Sequence, residues 1–191
     1  HPRRDPRAVH LRSRLPLQDA QLGIKRSCHE SSIRVPTALQ GPGFDGGGRI
    51  NHLVSLVDLP PTLLDAAGLA IPAEMQGRSL LPLLRGQSEN WPEEIYVQIS
   101  ESEVGRAIRT KRWKYSVIAW DKEPWFDSGS DRYTEKCLYD LEVDPYELNN
   151  LIGDESFADV AGEMRERLIR RMVEAGESEP IIESVPNPPV S

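Results

Sequence analysis

Four short segments of β-type character follow one another between residues 95 and 141, and this succession constrains the fold more than any other feature. They are Ile95 to Ser100, Ala107 to Thr110, Arg112 to Ala119 and Lys136 to Leu141, with alternating or β-rich patterns. Short polar gaps favour antiparallel connections between them. The longer gap, Trp120 to Thr134, has the length of a functional or mobile loop. The sequence therefore predicts a small antiparallel sheet.

Helical patterns are predicted on both sides of these segments. Asp58 is a candidate N-cap for a first helix that ends near Gly68, and Ser79 is a candidate N-cap for a second, short helix. The last helix is expected from about Phe157 to Ala175. Its apolar stripe at helical spacing consists of Val160, Met164, Leu168 and Met172. Val35 to Gln40 is expected to be a strand, because a Gly-Pro-Gly turn signal follows this apolar run.

The composition argues against several classes of partner. The 191 residues carry a formal net charge of −7, which disfavours nucleic acid or an anionic membrane as a general partner. No apolar run approaches the length of a membrane-spanning segment. Cys28 and Cys137 are isolated cysteines, which we expect to be free rather than part of a disulfide framework. No two histidines occur at metal-ligand spacing with a carboxylate partner, so the histidines give no metal signal.

The chemically most suggestive stretch runs from Lys25 to Pro36. Lys25 stands four residues before His29 and five before Glu30, and Arg34 follows in an Arg-x-Pro sequence. A fixed ammonium group can stabilise the negative charge that develops on the oxygens of a substrate as a bond breaks, most effectively in a dry pocket. Composition alone would make Lys25 a surface lysine, so its role depends on the motifs that follow.

Three further motifs follow in order, namely Val57 to Asp65, Gln76 to Leu80 and Leu138 to Leu151. The last combines Leu-Tyr-Asp-Leu with Asp-Pro, a glutamate and Asn-Leu. Together with the Lys25 stretch, these motifs resemble the sulfatase family in content and order, over about Lys25 to Asp154. The resemblance implies the C-terminal part of an α/β, alkaline-phosphatase-like sulfatase fold. In that fold a small antiparallel four-stranded sheet is packed by a C-terminal helix.

The resemblance also divides the chain. Residues 25–90 would form the end of the sulfatase main domain, 91–176 the C-terminal antiparallel-sheet subdomain, and 177–191 a loose, Pro-rich tail. Residues 1–24 are crowded with arginines and prolines and are expected to be disordered or out of frame. If the coding DNA for Pro6 to Ile24 is read one base later, a permitted choice of codons encodes a buried strand followed by a Ser-Asp-His-Gly loop. That encoded sequence resembles the metal-binding strand end of sulfatases.

For an intact enzyme, the resemblance implies that Lys25 contacts the substrate sulfate, and His29 is a candidate for the mouth of the pocket. A structural ion pair between Glu30 and Arg34 is the favoured account of those two charges. The family's nucleophile is a formylglycine, made from the first residue of a Cys/Ser-x-Pro/Ala-x-Arg motif, and neither cysteine begins one. The family's usual cation, calcium, would take its ligands from outside this chain. We therefore expect no catalytic residue and no metal ligand here, and no activity of the chain alone.

The reaction that the resemblance implies is hydrolysis of a sulfate ester on a sulfated small molecule or glycan. Trp120 and Trp125, in the long loop, are candidates for a wall on the substrate side. Two alternatives stay open: a phosphodiesterase or phosphonate hydrolase of the same superfamily, and a non-catalytic remnant or binding module. An in-frame Cys-x-Pro-x-Arg region in the upstream DNA would support an enzyme gene. The sequence carries no signature of compartment or oligomeric state.

Overall fold

The computed structural model of the protein describes residues 27–41, 43–44 and 47–185, which fall into two compact units. The larger unit combines residues 27–34 with those from Glu94 onward, and the smaller unit contains the residues from Val35 to Glu93. The predictions for residues 1–24 and for Lys25 lie outside the described residues.

The larger unit is built on one five-stranded sheet in the order β1-β2-β3-β4-β5. The first four strands pair antiparallel with their neighbours, and the short β5 pairs parallel to β4. Their bounds are Glu94–Ile99 for β1, Gly105–Thr110 for β2, Trp113–Ile118 for β3, Arg132–Asp140 for β4 and Ile181–Glu183 for β5. The α/β class is therefore confirmed.

The fifth strand corrects the predicted sheet, which had four strands and was purely antiparallel. β5 lies in the segment that was expected to be a loose tail, and Ile181 donates its backbone N–H to Asp131 at 2.8 Å. Parallel pairing needs a long crossover, which the C-terminal helix between β4 and β5 supplies. A three-residue strand has too few positions to show alternation, so the sequence pattern could not reveal it.

The C-terminal helix, α4, runs from Ala158–Glu174 and covers one face of this sheet. The predicted stripe faces inward, because three of its members are fully buried and the fourth, Val160, packs against them. They share a core with apolar residues of the strands. This core includes Val104, Ile108, Tyr115, Val117, Tyr133, Leu138, Met164, Leu168 and Met172. The expected packing of a C-terminal helix on the sheet is confirmed.

The smaller unit contains α2 (Leu59–Ala66) and α3 (Leu81–Leu84), close to where the helices were predicted. Asp58 precedes α2, but its carboxylate accepts the backbone N–H groups of Ser55 at 2.9 Å and Arg78 at 3.0 Å. Asp58 thus joins two of the sequence motifs.

The strand predicted at 35–40 is wrong, since these residues have no regular structure. A strand needs a pairing partner, and Pro36 lacks the N–H that a central strand would use.

Gly77 brings the same two motifs into closer contact. A Cβ atom added there would lie 2.9 Å from the backbone nitrogen of Asp58 and would overlap the carbonyl group of Val57. Only a residue without a side chain allows the two backbones to approach this closely. The spacing of the two motifs therefore reflects a packing requirement inside the smaller unit.

None of the helices in the described part of the chain combines the length and the apolar character that crossing a bilayer requires.

Candidate functional site

The segment that follows Lys25 is docked on the sheet of the larger unit. Its single helical turn, α1 (Glu30–Ile33), begins after His29. Cys28 is buried just before this turn and packs with Ile99, Ala107 and Val97 of β1 and β2. This small apolar cluster is separate from the main core. Residues 28–33 are thus tied to the sheet of the larger unit.

His29, the second predicted site residue, is half-buried at the start of α1. Its Nδ1 lies 2.9 Å from the hydroxyl of Ser27, and its ring packs 5.9 Å from the ring centre of Tyr139. Burial lowers the pKa of His29 below its ordinary value of 6.5, although the nearby Glu147 carboxylate acts in the opposite direction. The imidazole is therefore neutral at pH 7 and can serve as a hydrogen-bonding group.

Glu30 contacts strand residues and not the arginine that was predicted for it. Its two carboxylate oxygens accept from Nε and Nη2 of Arg109, each at 3.2 Å, and Nζ of Lys114 lies 3.5 Å away. The expected Glu30–Arg34 ion pair is wrong, because the turn of α1 directs Glu30 to the sheet while Arg34 is exposed. Burial alone would raise the pKa of Glu30, but the hydrogen bond from Arg109 and the charge of Lys114 leave it below its ordinary value.

A second carboxylate completes this group of charges. Glu147, from the Leu138–Leu151 motif, accepts the backbone N–H of Glu30 at 2.6 Å and forms an ion pair with Lys114. The Lys114 and Glu147 side chains are each 2% exposed. We call Glu30, Arg109, Lys114 and Glu147 the charge cluster. Its two positive and two negative side chains balance, which allows charged groups to be buried.

Sequence reasoning missed Arg109, Lys114 and Glu147. Glu147 lies inside the Leu138–Leu151 motif, which indicates the family but gives no contact for this glutamate. Lys114 lies on β3 between two aromatic residues, Trp113 and Tyr115. A lysine in a strand is usually assigned to the solvent-facing side, and no sequence pattern shows that two carboxylates from distant segments meet it there.

Both cysteines are free and buried. Burial is the main cause that raises the pKa of the Cys28 thiol to about 12, and burial also raises the pKa of Cys137. A nucleophilic cysteine needs the thiolate, which these surroundings disfavour. The two thiols are therefore packing groups and not reactive centres.

The predicted aromatic wall lies on the exposed β3–β4 loop. Trp120, Trp125 and Phe126 are 70%, 65% and 86% exposed. The backbone N–H of Trp125 donates to the carbonyl of Ser100 at 3.0 Å, which ties the loop to the end of β1. These side chains present apolar surface to the outside of the larger unit.

The smaller unit has an open cleft of about 310 Å³. Its polar centre is Arg78, whose guanidinium lies 5.8 Å from the ring centre of Trp91 and donates to the carbonyl of Asn90 at 3.0 Å. The lining consists of Arg78, Ser79, Pro82, Gln87, Glu89, Asn90 and Trp91. This arginine is already engaged in stacking and hydrogen bonding, so we interpret its role in the cleft as packing within the smaller unit and not as ligand binding.

The described residues do not form a calcium site. Among them, no group of three or more histidine, cysteine, aspartate or glutamate side chains is arranged to hold a metal ion. The carboxylates of the charge cluster are neutralised by Lys114 and Arg109. The carboxylates of the charge cluster therefore do not fit a calcium ion.

Comparison with known proteins gives a consistent set of relatives. The family described as N-sulphoglucosamine sulphohydrolase, C-terminal, matches residues 21–174. Arylsulfatase K of Mus musculus is 34% identical over 137 residues, which cover 66% of this chain and 23% of that protein. The delta 4,5-hexuronate-2-O-sulfatase of Bacteroides thetaiotaomicron is 32% identical over 148 residues, covering 73% and 28%. The chain thus spans about a quarter of the length of these curated relatives.

Solved structures agree with this result. A 2-O GAG sulfatase shares 29% identity with a TM-score of 0.56, over 71% of this chain and 29% of that one. A protein in complex with its substrate D-glucosamine-2-N, 6-O-disulfate shares 26% identity with a TM-score of 0.53, over 64% and 24%. A phosphonate monoester hydrolase from Silicibacter pomeroyi, at 22% identity and a TM-score of 0.62 over 78% and 31%, shares the fold.

Proposed function

Because the chain belongs to the sulfatase family, as part of its C-terminal region, we propose that it serves the hydrolysis of sulfate esters. In this proposal it contributes the substrate-binding lysine segment and the C-terminal subdomain to an intact enzyme. The observation that carries the proposal is the docking of residues 27–33 on the sheet by buried side chains. A free linker would not need a buried, charge-balanced attachment, whereas a segment that presents a catalytic-site lysine does.

Lys25 carries the main chemical role in this proposal. Its ammonium group would lie against the sulfate oxygens and stabilise the negative charge that grows on them as the S–O bond breaks. His29, neutral at pH 7, would donate or accept a hydrogen bond at the pocket mouth. The formylglycine nucleophile and the calcium ion of the family would be held by residues outside this chain.

We propose a sulfated glycan, or a smaller sulfated sugar, as the substrate. This choice is supported by the disulfated glucosamine that one structural relative binds and by the hexuronate sulfatase among the sequence relatives. Trp120 and Trp125 fit such a substrate, because exposed aromatic rings can pack against the apolar faces of sugar rings. Their exposure equally suits contact with the remainder of an intact enzyme.

Two other functions compete with this one. Phosphonate or phosphate diester hydrolysis needs similar charge stabilisation, and a phosphonate monoester hydrolase shares the fold. A non-catalytic module would keep the packing of the chain without its chemistry. Substitution of Lys25 separates an enzyme from a non-catalytic module, because an activity that depends on this lysine must act on an anionic ester. The ester that is hydrolysed faster then distinguishes a sulfatase from a phosphonate or phosphodiester hydrolase.

The test uses an intact enzyme that carries this chain as its C-terminal region. Its steady-state rates are measured with an aryl sulfate and with an aryl phosphonate monoester. Lys25→Ala should lower sulfatase kcat/KM by about 10²–10³. The matched control is Lys111→Ala, an exposed lysine between β2 and β3, and should have no effect. Preference for the phosphonate supports the second function, and absence of turnover with both esters supports the module.

A further inference from the structure

We propose that Glu147 and Lys114 are positioning residues, which hold the segment that begins at Ser27 and so fix the place of Lys25. This inference rests on the proposed function, because it assigns the charge cluster a task in presenting the substrate-binding lysine. Neither residue needs to touch the substrate. Both would act through Glu30, five residues after Lys25.

The first argument is the double contact that Glu147 makes. One carboxylate oxygen accepts the backbone N–H of Glu30, and the other faces Lys114. The two glutamates are 117 residues apart in sequence, so the contact ties the first turn of α1 to the loop after β4. A hydrogen bond to the main chain fixes the position of the backbone itself, which a contact between side chains alone would not do.

The second argument is the backbone conformation of Glu147. Its φ angle is +59°, in the left-handed region that residues with side chains rarely adopt. Such a conformation persists only where the surroundings determine it strongly, and it is often found at functional positions. Here it directs the carboxylate of a buried glutamate to the lysine segment. A glycine would suit the backbone better but would supply no carboxylate.

The third argument is the dependence of the cluster on Lys114. This lysine contacts both glutamates, and β3 places it opposite Tyr139 of β4, whose ring packs against His29. Removal of one partner from a buried charge group leaves the others uncompensated. Loss of Lys114 would leave two carboxylates with only Arg109, so the segment would be pushed away from the sheet.

The cluster therefore acts as a latch, and its opening can be measured at Cys28. This thiol belongs to the latched segment and is buried against β1 and β2, and its high pKa keeps it unreactive while the segment is closed. A small alkylating reagent labels it only when the segment opens. In the full chain, Glu147→Ala and Lys114→Met should each raise the labelling rate of Cys28 by about tenfold or more. Glu142→Ala, on the same loop but exposed, should leave it unchanged.

Hydrogen exchange of α4 separates local opening from global unfolding. The amides around Leu168 belong to the main core and should keep their protection in both latch variants. Equal increases at Cys28 and α4, or no increase at Cys28, would overturn the latch. Glu147→Gln should recover only part of the closed state, because its amide oxygen can still accept the N–H of Glu30 but its NH2 group would face Lys114 without a compensating negative charge.

Kinetics of an intact enzyme then test whether the latch positions Lys25. Glu147→Ala should lower kcat/KM for an aryl sulfate by about tenfold, and Glu147→Gln, which keeps only the acceptor for the Glu30 N–H, should lower it less. In a Lys25→Ala background the same substitution should have almost no further effect, since residues that act through one another are not additive. Additive losses would overturn the positioning role. If the enzyme hydrolyses no sulfate ester, the proposed function fails, while Cys28 labelling still decides the latch.

Discussion

Gly77 and His29 are two positions at which contacts with the rest of the fold restrict a single residue, in one case its size and in the other its charge. Gly77 is required by space, because backbone atoms of Val57 and Asp58 occupy the place of a side chain. His29 is limited by electrostatics, since its burial beside the sheet disfavours the protonated ring. Both effects depend on contacts with residues distant in sequence, so neither could be predicted from the local sequence.

Gly77→Ala should destabilise the protein by about 3 kcal/mol, because the backbone of Val57 must move to admit the new methyl group. The matched substitution is Gly162→Ala inside α4, where nothing lies within 4 Å of the added atom. It should stabilise the protein by about 0.5–1 kcal/mol through helix propensity. Urea unfolding of both variants measures the difference. Similar stabilities would contradict the close packing at Gly77.

Stability should decrease as the pH falls below about 6.5, the ordinary pKa of histidine. The pKa of His29 is lowered in the folded state, so the unfolded state binds the proton more readily. Acidification therefore stabilises the unfolded state relative to the folded state. The lowered pKa values of Glu30 and Glu177 act in the same direction below about 4.5. Thermal melting between pH 8 and 5 should show a weaker slope for His29→Asn than for the exposed control His52→Asn. Equal slopes would show that protonation of His29 does not cause the loss of stability.

At the scale of the elements, regular patterns were predicted well and charged strands were not. The helix pattern predicted α4 within a residue at each end, because its apolar stripe repeats over several turns. β4 begins at Arg132, earlier than the predicted Lys136. The prediction missed the first residues because a charged residue, the buried Glu135, interrupts the apolar pattern there. Glu135 is accommodated by Arg165 of α4 and by the hydroxyl of Tyr115 at 3.0 Å. Such partners come from other elements and leave no periodic signal.

The inner face of α4 should carry most of its contribution to stability. Leu168 is fully buried in the core, so Leu168→Ala removes packed methyl groups and leaves a cavity. We expect a loss of about 2–5 kcal/mol in the free energy of unfolding. Val173, on the same helix, is 47% exposed, and Val173→Ala should change stability by less than about 1 kcal/mol. Denaturant unfolding compares the two variants, and equal losses would contradict the assigned inner face.

At the scale of the whole molecule, motifs identified the family, and the structure supplied the contacts that connect them. The motif around Lys25 and the Leu138–Leu151 motif meet through Glu30 and Glu147, although their sequence order alone gives no reason for it. Asp58 and Gly77 join the two middle motifs in the same way. Motif order could be read from the sequence because each motif is local. Their contacts could not, because they depend on how the chain returns on itself.

The 191-residue chain alone should not hydrolyse an aryl sulfate, with or without added calcium. No Cys/Ser-x-Pro/Ala-x-Arg motif occurs in it, so it has no residue that matches the family's nucleophile. A lysine that stabilises charge has no reaction to accelerate without a nucleophile, and Cys28 and Cys137 are buried thiols with raised pKa values. The assay compares the purified chain, its Lys25→Ala variant and an intact sulfatase as the positive control. Turnover that follows the chain through purification and is lost in Lys25→Ala would show that these residues contain a nucleophile of their own.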